Sequence, residues 1–172
     1  MRALLGRIWR LTVIAASGPG AWIGIVLYAA ILFTKFGGVW VSVQFIDWYA
    51  RFYDAIEQLD AATTIHELWV FFGLTGLSAA SFLIGEYLRK YLWLRWRERL
   101  TNHALDAWTK NKAYWSLRPG LSSDSIDNPD QRIAQDCRLF VDGLLLETLD
   151  IITRVVALVS YMAILWSLTG FT

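Results

Sequence analysis

Glu147, Asp150 and Arg154 stand at i, i+3 and i+7, a spacing that places them on one face of a helix. Asp150 precedes Arg154 by four residues, the favourable order for an ion pair. The stretch that follows, from Val155 to Leu168, carries no charge. It is too short to cross a bilayer core of about 30 Å alone, so a span there must draw in the charged residues before it. Ionisable groups at membrane depth are costly and turn towards a bundle interior or a water-filled cavity. Such a face can recognise and relay rather than make bonds. It would line a transport pathway, with Glu147 contacting a cationic substrate or carrying protons. The alternative is that the three residues sit at the inner interface and anchor the helix. Nothing else in the sequence offers reaction chemistry. There is no nucleophile–base pair, metal triad or cofactor loop. His66 and His103 lack ligand spacing, and the single Cys137 has no partner for an internal disulfide. No GxxxxGK[ST] run occurs, so the chain is not expected to cradle ATP or to be an enzyme by itself.

The elements that must position these residues are membrane helices. Hydrophobic residues make up 56% of the 172 positions, above the usual soluble share of about 45–50%. There are ten Trp and seven Tyr, side chains that gather at membrane–water interfaces. From Leu11 to Thr34 no charge occurs, and after Lys35 none until Asp47. This predicts a span over about 20–45, with Lys35 inside it or snorkelling. Gly20 and Gly24 there permit close helix approach. Leu68 to Gly85 is uncharged between Glu67 and Glu86. It predicts a second span over about 67–94, slimmed by Gly73, Gly76, Ser78, Ala79, Ala80 and Ser81. A third span is placed at about 143–169. Residues 1–18 form an amphipathic helix with Arg2, Arg7 and Arg10, too short in its apolar part for a signal peptide. It ends at Ser17-Gly18-Pro19-Gly20, a chain break. The fold class is therefore an all-α membrane protein with three transmembrane helices and long cytoplasmic extensions.

Basic residues crowd the segment from Arg89 to Arg118, whereas residues 47–66 are mainly acidic. Basic loops stay inside, so the N-terminus and the middle segment are expected in the cytoplasm. The net charge is +1, which gives nucleic-acid binding no support; the lipid bilayer is the first expected partner. Within the middle segment, Trp96, Leu100, Ala104, Leu105 and Trp108 recur at helical spacing. A helix start follows. Asn128 suits an N-cap and Pro129 the first helical position. Asp130 suits the positive end of the helix dipole, and Gln131 completes a capping pattern. Arg132 and Asp136 are spaced to pair.

Asn128-Pro129-Asp130-Gln131-Arg132-Ile133-Ala134-Gln135-Asp136, preceded by Leu94-Arg95-Trp96-Arg97 and Tyr114-Trp115, resembles one membrane-domain family. It is shared by the SbmA/BacA-type bacterial peptide and vitamin B12 transporters, their ATPase-fused relatives, and the peroxisomal fatty-acyl ABC half-transporters. Phe52-Tyr53-Asp54 is similar to the bacterial members. The resemblance runs from about Trp22 to Gly170, and the NPDQ form is nearer the ATPase-fused group. It implies residues 20–172 to be half of an ABC exporter-type domain of six membrane helices. It also implies a second copy of the domain as partner, and a bacterial inner-membrane location. The cytoplasmic segment at about 95–132 is implied to couple to a nucleotide-binding domain. On it fall Trp108, Lys112, Tyr114, Trp115, Asn128, Pro129, Asp130, Gln131 and Arg132. The transport pathway would hold Glu147, Asp150 and Arg154. ATP and Mg would bind only an ATPase domain absent from this chain; proton drive is implied for the SbmA-like members. Three spans rather than six lead to the expectation of a truncated or split component, and a non-transporting membrane adaptor is the competing class.

Overall fold

The computed structural model describes residues 2–18, 20–110 and 129–169. The described residues form four helices: α1 (Arg2–Ala16), α2 (Ala21–Glu57), α3 (Ala61–Lys110) and α4 (Pro129–Thr169). Three stretches, Ala21–Glu57, Ala61–Lys110 and Gln131–Ser167, are long and apolar enough to cross a membrane. In the most apolar part of each, only 11%, 6% and 6% of residues are buried within the chain. Phe33, Trp69, Phe82 and Trp166 are among the large side chains left exposed. In water this surface would be untenable; lipid or further membrane helices must cover it. An all-α membrane architecture is thus what the structure has.

The chain divides into two compact units, one drawn from Met1–Tyr28 and Arg89–Glu147, the other from Ala29–Leu88 and Thr148–Thr172. In the first unit Leu92, Trp96, Leu100, Val141 and Leu145 are buried. Gly24 lets α2 approach α3 closely: a Cβ there would lie 3.3 Å from Trp96 Nε1. Tyr28 stacks on Trp96 with centroids 6.4 Å apart. Between α1 and α2 the backbone turns through Gly18 and Gly20, at φ of 124° and 73°, values that suit only glycine at little cost. Arg99 Nη1 donates to the Ala16 carbonyl at 3.3 Å, closing one of the orphan acceptors at the end of α1. Cys137 is buried here.

The second unit is closed at one end by the α2–α3 hairpin. The acidic stretch 47–66, beyond the apolar cores of the first two expected spans, is helical apart from Gln58-Leu59-Asp60. The cause is packing. Trp48, Phe52 and Ala55 recur on the inward side, while Asp47, Asp54 and Glu57 take the exposed side. Trp48 stacks on Phe52 with centroids 5.0 Å apart and meets Phe71 at 5.1 Å. Its indole Nε1 donates to the Glu67 carbonyl at 2.8 Å, and Arg51 Nε donates to Glu67 Oε1 at 3.1 Å. At the turn, Asp60 N–H bonds the Ala55 carbonyl and Leu59 N–H the Ile56 carbonyl, the Schellman pattern. It places Leu59 at φ 55°, where a glycine is usual. Asp60 then caps α3, accepting from the N–H groups of Ala62 and Thr63 and from the Thr63 hydroxyl. The Thr63 hydroxyl, and then these N–H groups, hold its carboxyl below the usual carboxylate range.

Candidate translocation cleft

In the second unit, α2 delivers a cation to a membrane-spanning stretch. Lys35 is the lone charge between Leu11 and Asp47, and α2 offers it no neighbouring carboxylate. Its Nζ lies 3.6 Å from Asp150 Oδ1 on α4, and Asp150 Oδ2 lies 3.8 Å from Arg154 Nη2. One carboxylate therefore bridges two cations, one oxygen for each. The side chains of Lys35 and Asp150 are 30% and 44% exposed, and that of Arg154 is 83% exposed. The Lys35–Asp150 contact is thus the sheltered arm of the set, and the Arg154 arm faces outwards.

Beside this pair is a cleft of about 320 Å³ lined by Lys35, Ser42, Ser78, Ser81, Glu86 and Thr153, among others. Polar and charged side chains interrupt an otherwise apolar wall. The hydroxyl protons of Thr34, Ser42 and Thr153 go to backbone carbonyls one turn back, at 2.8, 3.0 and 2.7 Å. Those hydroxyls therefore present oxygen lone pairs. Lys35 supplies the strong donor. Glu86 is itself partnered. Close helix approach makes the cleft's floor: a Cβ on Gly85 would lie 2.8 Å from Thr34 Oγ1, so only glycine fits without a shift. The arrangement can hold water or the polar end of a ligand at membrane depth.

The expected pathway residues are placed unequally. Asp150 and Arg154 are brought together at the cleft. Glu147, three residues earlier, is exposed, belongs to the first unit, and makes no ion pair among the described residues. Lys35 is the residue that sequence reasoning left without a role. Its signal was present, because a lone cation inside a span requires a partner. Ser78 and Ser81 were read as slim packing positions, and they also line the cleft. Of the coupling residues, Trp108 lies half-buried in the last turns of α3, and Gln131 and Arg132 are exposed where α4 begins. The helix starts at Pro129, as its sequence suggests. No ion pair joins Arg132 to Asp136 among the described residues. Lys112, Tyr114, Trp115 and Asn128 lie outside the described residues, as do the side chains of Pro129 and Asp130. Among the described residues no group of His, Cys, Asp and Glu is arranged to hold a metal.

Comparison with known families adds the decisive observation: residues 16–172 match the model of ABC transporter transmembrane region 2. The chain belongs to this family. The matched region includes α2, α3, α4 and every residue of the cleft. An uncharacterized ABC transporter ATP-binding protein of Synechocystis is 33% identical over 150 residues, covering 86% of this chain and 22% of that protein. The inner membrane ABC transporter ATP-binding protein YddA of Escherichia coli is 30% identical over 146 residues, 85% of this chain and 26% of that protein. A shorter match, 43% identical over 49 residues, reaches the human lysosomal cobalamin transporter ABCD4, covering 28% of this chain and 8% of that protein. The chain spans about a quarter of the length of the bacterial relatives it matches. No solved structure gives a significant match. As a member of the ABC transporter transmembrane region, the chain is a membrane-spanning part of a transporter.

Proposed function

We propose that this chain supplies half of the substrate-conducting helices of an ATP-driven transporter, and that its substrate passes the Lys35–Asp150 pair. The observation that carries the reading is that pair: a cation and a carboxylate held together within membrane-spanning stretches, at the edge of a polar cleft. Charges in such a place mark substrate pathways more often than structural anchors. ATP and Mg would act in a nucleotide-binding domain outside this chain. The cytoplasmic segment from Trp108 through Asn128 to Arg132 would receive its motion, with a second copy of the domain completing the pathway. The names of the bacterial relatives as ATP-binding proteins favour ATP over the proton drive of SbmA/BacA-type members. The name of YddA supports an inner-membrane location, and the basic middle segment supports a cytoplasmic N-terminus.

The substrate classes in question are peptide-like, acyl and vitamin B12-like. The name of the human relative as a cobalamin transporter favours the last. The cleft has the volume of roughly ten waters at about 30 Å³ each, so within this chain it receives only a polar end of such a molecule. The complete transporter in proteoliposomes tests the reading with labelled cobalamin, a cationic peptide and an acyl substrate. One of them should accumulate only with ATP and Mg. Lys35→Met should lower that uptake about tenfold, a change of about 1.4 kcal/mol in the barrier. Uptake indifferent both to ATP and to Lys35→Met would overturn it.

A further inference from the structure

A second polar cleft lies in the first unit, where α1 turns into α2. It occupies about 430 Å³ and is lined by Ser17, Gly18, Arg95, Glu98, Arg99 and Asp106, together with Ile14, Asn102 and His103. On α3, Arg95, Glu98, Arg99 and Asp106 repeat at helical spacing, so these charges share one face. Arg95 reaches the turn itself: a Cβ added to Gly20 would lie 3.4 Å from Arg95 Nη2. Arg99 is committed to the Ala16 carbonyl. Arg95 makes no hydrogen bond or ion pair among the described residues.

The surroundings of the cleft are those of a membrane boundary. Trp22, Ile25 and Val26, just past the turn on α2, are 66%, 69% and 55% exposed. Leu94, the residue before Arg95, is also exposed. The apolar surface and the charged cleft therefore meet at one level. An occupant of such a site needs a polar head and an apolar body that continues along α2. The charges select the head. Arg95 and Arg99 balance Glu98 and Asp106, so these four side chains favour an occupant with no net charge. It offers donors to a phosphate and carboxylates to an ammonium group.

We infer that this cleft binds the headgroup of a zwitterionic phospholipid with a primary ammonium, a phosphoethanolamine lipid. Arg95 receives the phosphate diester, with Arg99 beside it, through charge-assisted hydrogen bonds. Glu98 and Asp106 accept from the ammonium. A phosphocholine head is discriminated against, because its quaternary ammonium has no N–H to donate. A phosphoglycerol head is discriminated against, because it leaves the carboxylates without a cation. The volume equals that of roughly fourteen waters at about 30 Å³ each, ample for the head alone.

The test is lipid retention by the purified chain, in detergent with equal amounts of phosphatidylethanolamine, phosphatidylcholine and phosphatidylglycerol, read by native mass spectrometry. Phosphatidylethanolamine should be retained at least about threefold over each of the others, a difference of about 0.65 kcal/mol. Arg95→Gln and Glu98→Gln should each remove the preference. Arg95→Lys should keep part of it, and Arg51→Gln at the other unit should leave it intact. Equal retention of the three lipids, a preference for phosphatidylglycerol, or a preference that survives both Arg95→Gln and Glu98→Gln would overturn the assignment.

Discussion

Removing the Lys35 ammonium by Lys35→Met keeps the length and apolar stem of the side chain and strips Asp150 of its sheltered partner. At 3.6 Å, two unit charges attract by about 4–5 kcal/mol at an effective dielectric constant of about 20. Most of that is offset by desolvation and by side-chain ordering. The partial exposure of both groups, 30% and 44%, lowers it further by admitting solvent screening. A net coupling of about 1–2 kcal/mol is left, within the usual range for contacting residues. The assay is a double-mutant cycle of Lys35→Met, Asp150→Leu and the pair, unfolded by titrating dodecyl sulfate into mixed micelles. The ten tryptophans supply the fluorescence signal. Each single change should cost more than its share in the double variant, because Asp150→Leu leaves Lys35 unpaired near membrane depth and Lys35→Met leaves Asp150 with only its exposed partner Arg154. Arg154, with an 83% exposed head, should add little when it is replaced by Met. Additivity within about 0.3–0.5 kcal/mol, the behaviour of independent sites, would refute the claim that the pair is a coupled element.

Three further outcomes follow from local geometry. Gly85→Ala should destabilise the second unit by about 1–3 kcal/mol through overpacking against Thr34 Oγ1, and adding Thr34→Ala should recover most of the loss in the same unfolding assay. Leu59→Gly should raise stability by about 0.5–1 kcal/mol, because left-handed backbone strain is relieved at a cost in unfolded-chain entropy; the leucine side chain is 90% exposed and gives up no packing. The Asp60 carboxyl titrates below its unfolded value, so its capping contribution is complete above about pH 4 and is lost as pH falls through the lowered folded value. Hydrogen exchange at the Ala62 and Thr63 amides should therefore lose protection, after correction for intrinsic rates, only below about pH 4, and protection unchanged down to pH 2 would contradict the cap.

The spans were legible because composition and charge spacing suffice for them: a long uncharged run must be helical in lipid to satisfy its backbone. The breaks were equally legible. Gly18 and Gly20 turn the chain where the sequence placed a turn, and α4 opens at Pro129. What periodicity could not show was how far helices continue beyond their apolar cores. The hairpin stays helical to Glu57 because Trp48, Phe52 and Phe71 pack across it, a tertiary contact that residues 47–66 reveal only as scattered aromatics. The cleft was half legible. Asp150 and Arg154 share a helix, so their spacing announces their pairing. Lys35 comes from a helix more than a hundred positions earlier, and no local pattern connects it to Asp150. Glu147 lies on the same helix face, three residues before Asp150, and its spacing alone does not say which groups it meets.

If the cleft beside Lys35 conducts substrate, it must open to each side of the membrane in turn in the complete transporter. Cys137→Ser removes the only native thiol of this chain, and Ser78→Cys then places a reporter on the cleft wall. A membrane-impermeant maleimide should label Cys at position 78 from one side of the membrane in the absence of nucleotide, and from the other side with ATP and vanadate. Added substrate should slow labelling in at least one of these states. A reporter that is unreactive from both sides under every condition, while a lipid-phase reagent labels it readily, would contradict the account and turn this face of the bundle towards lipid.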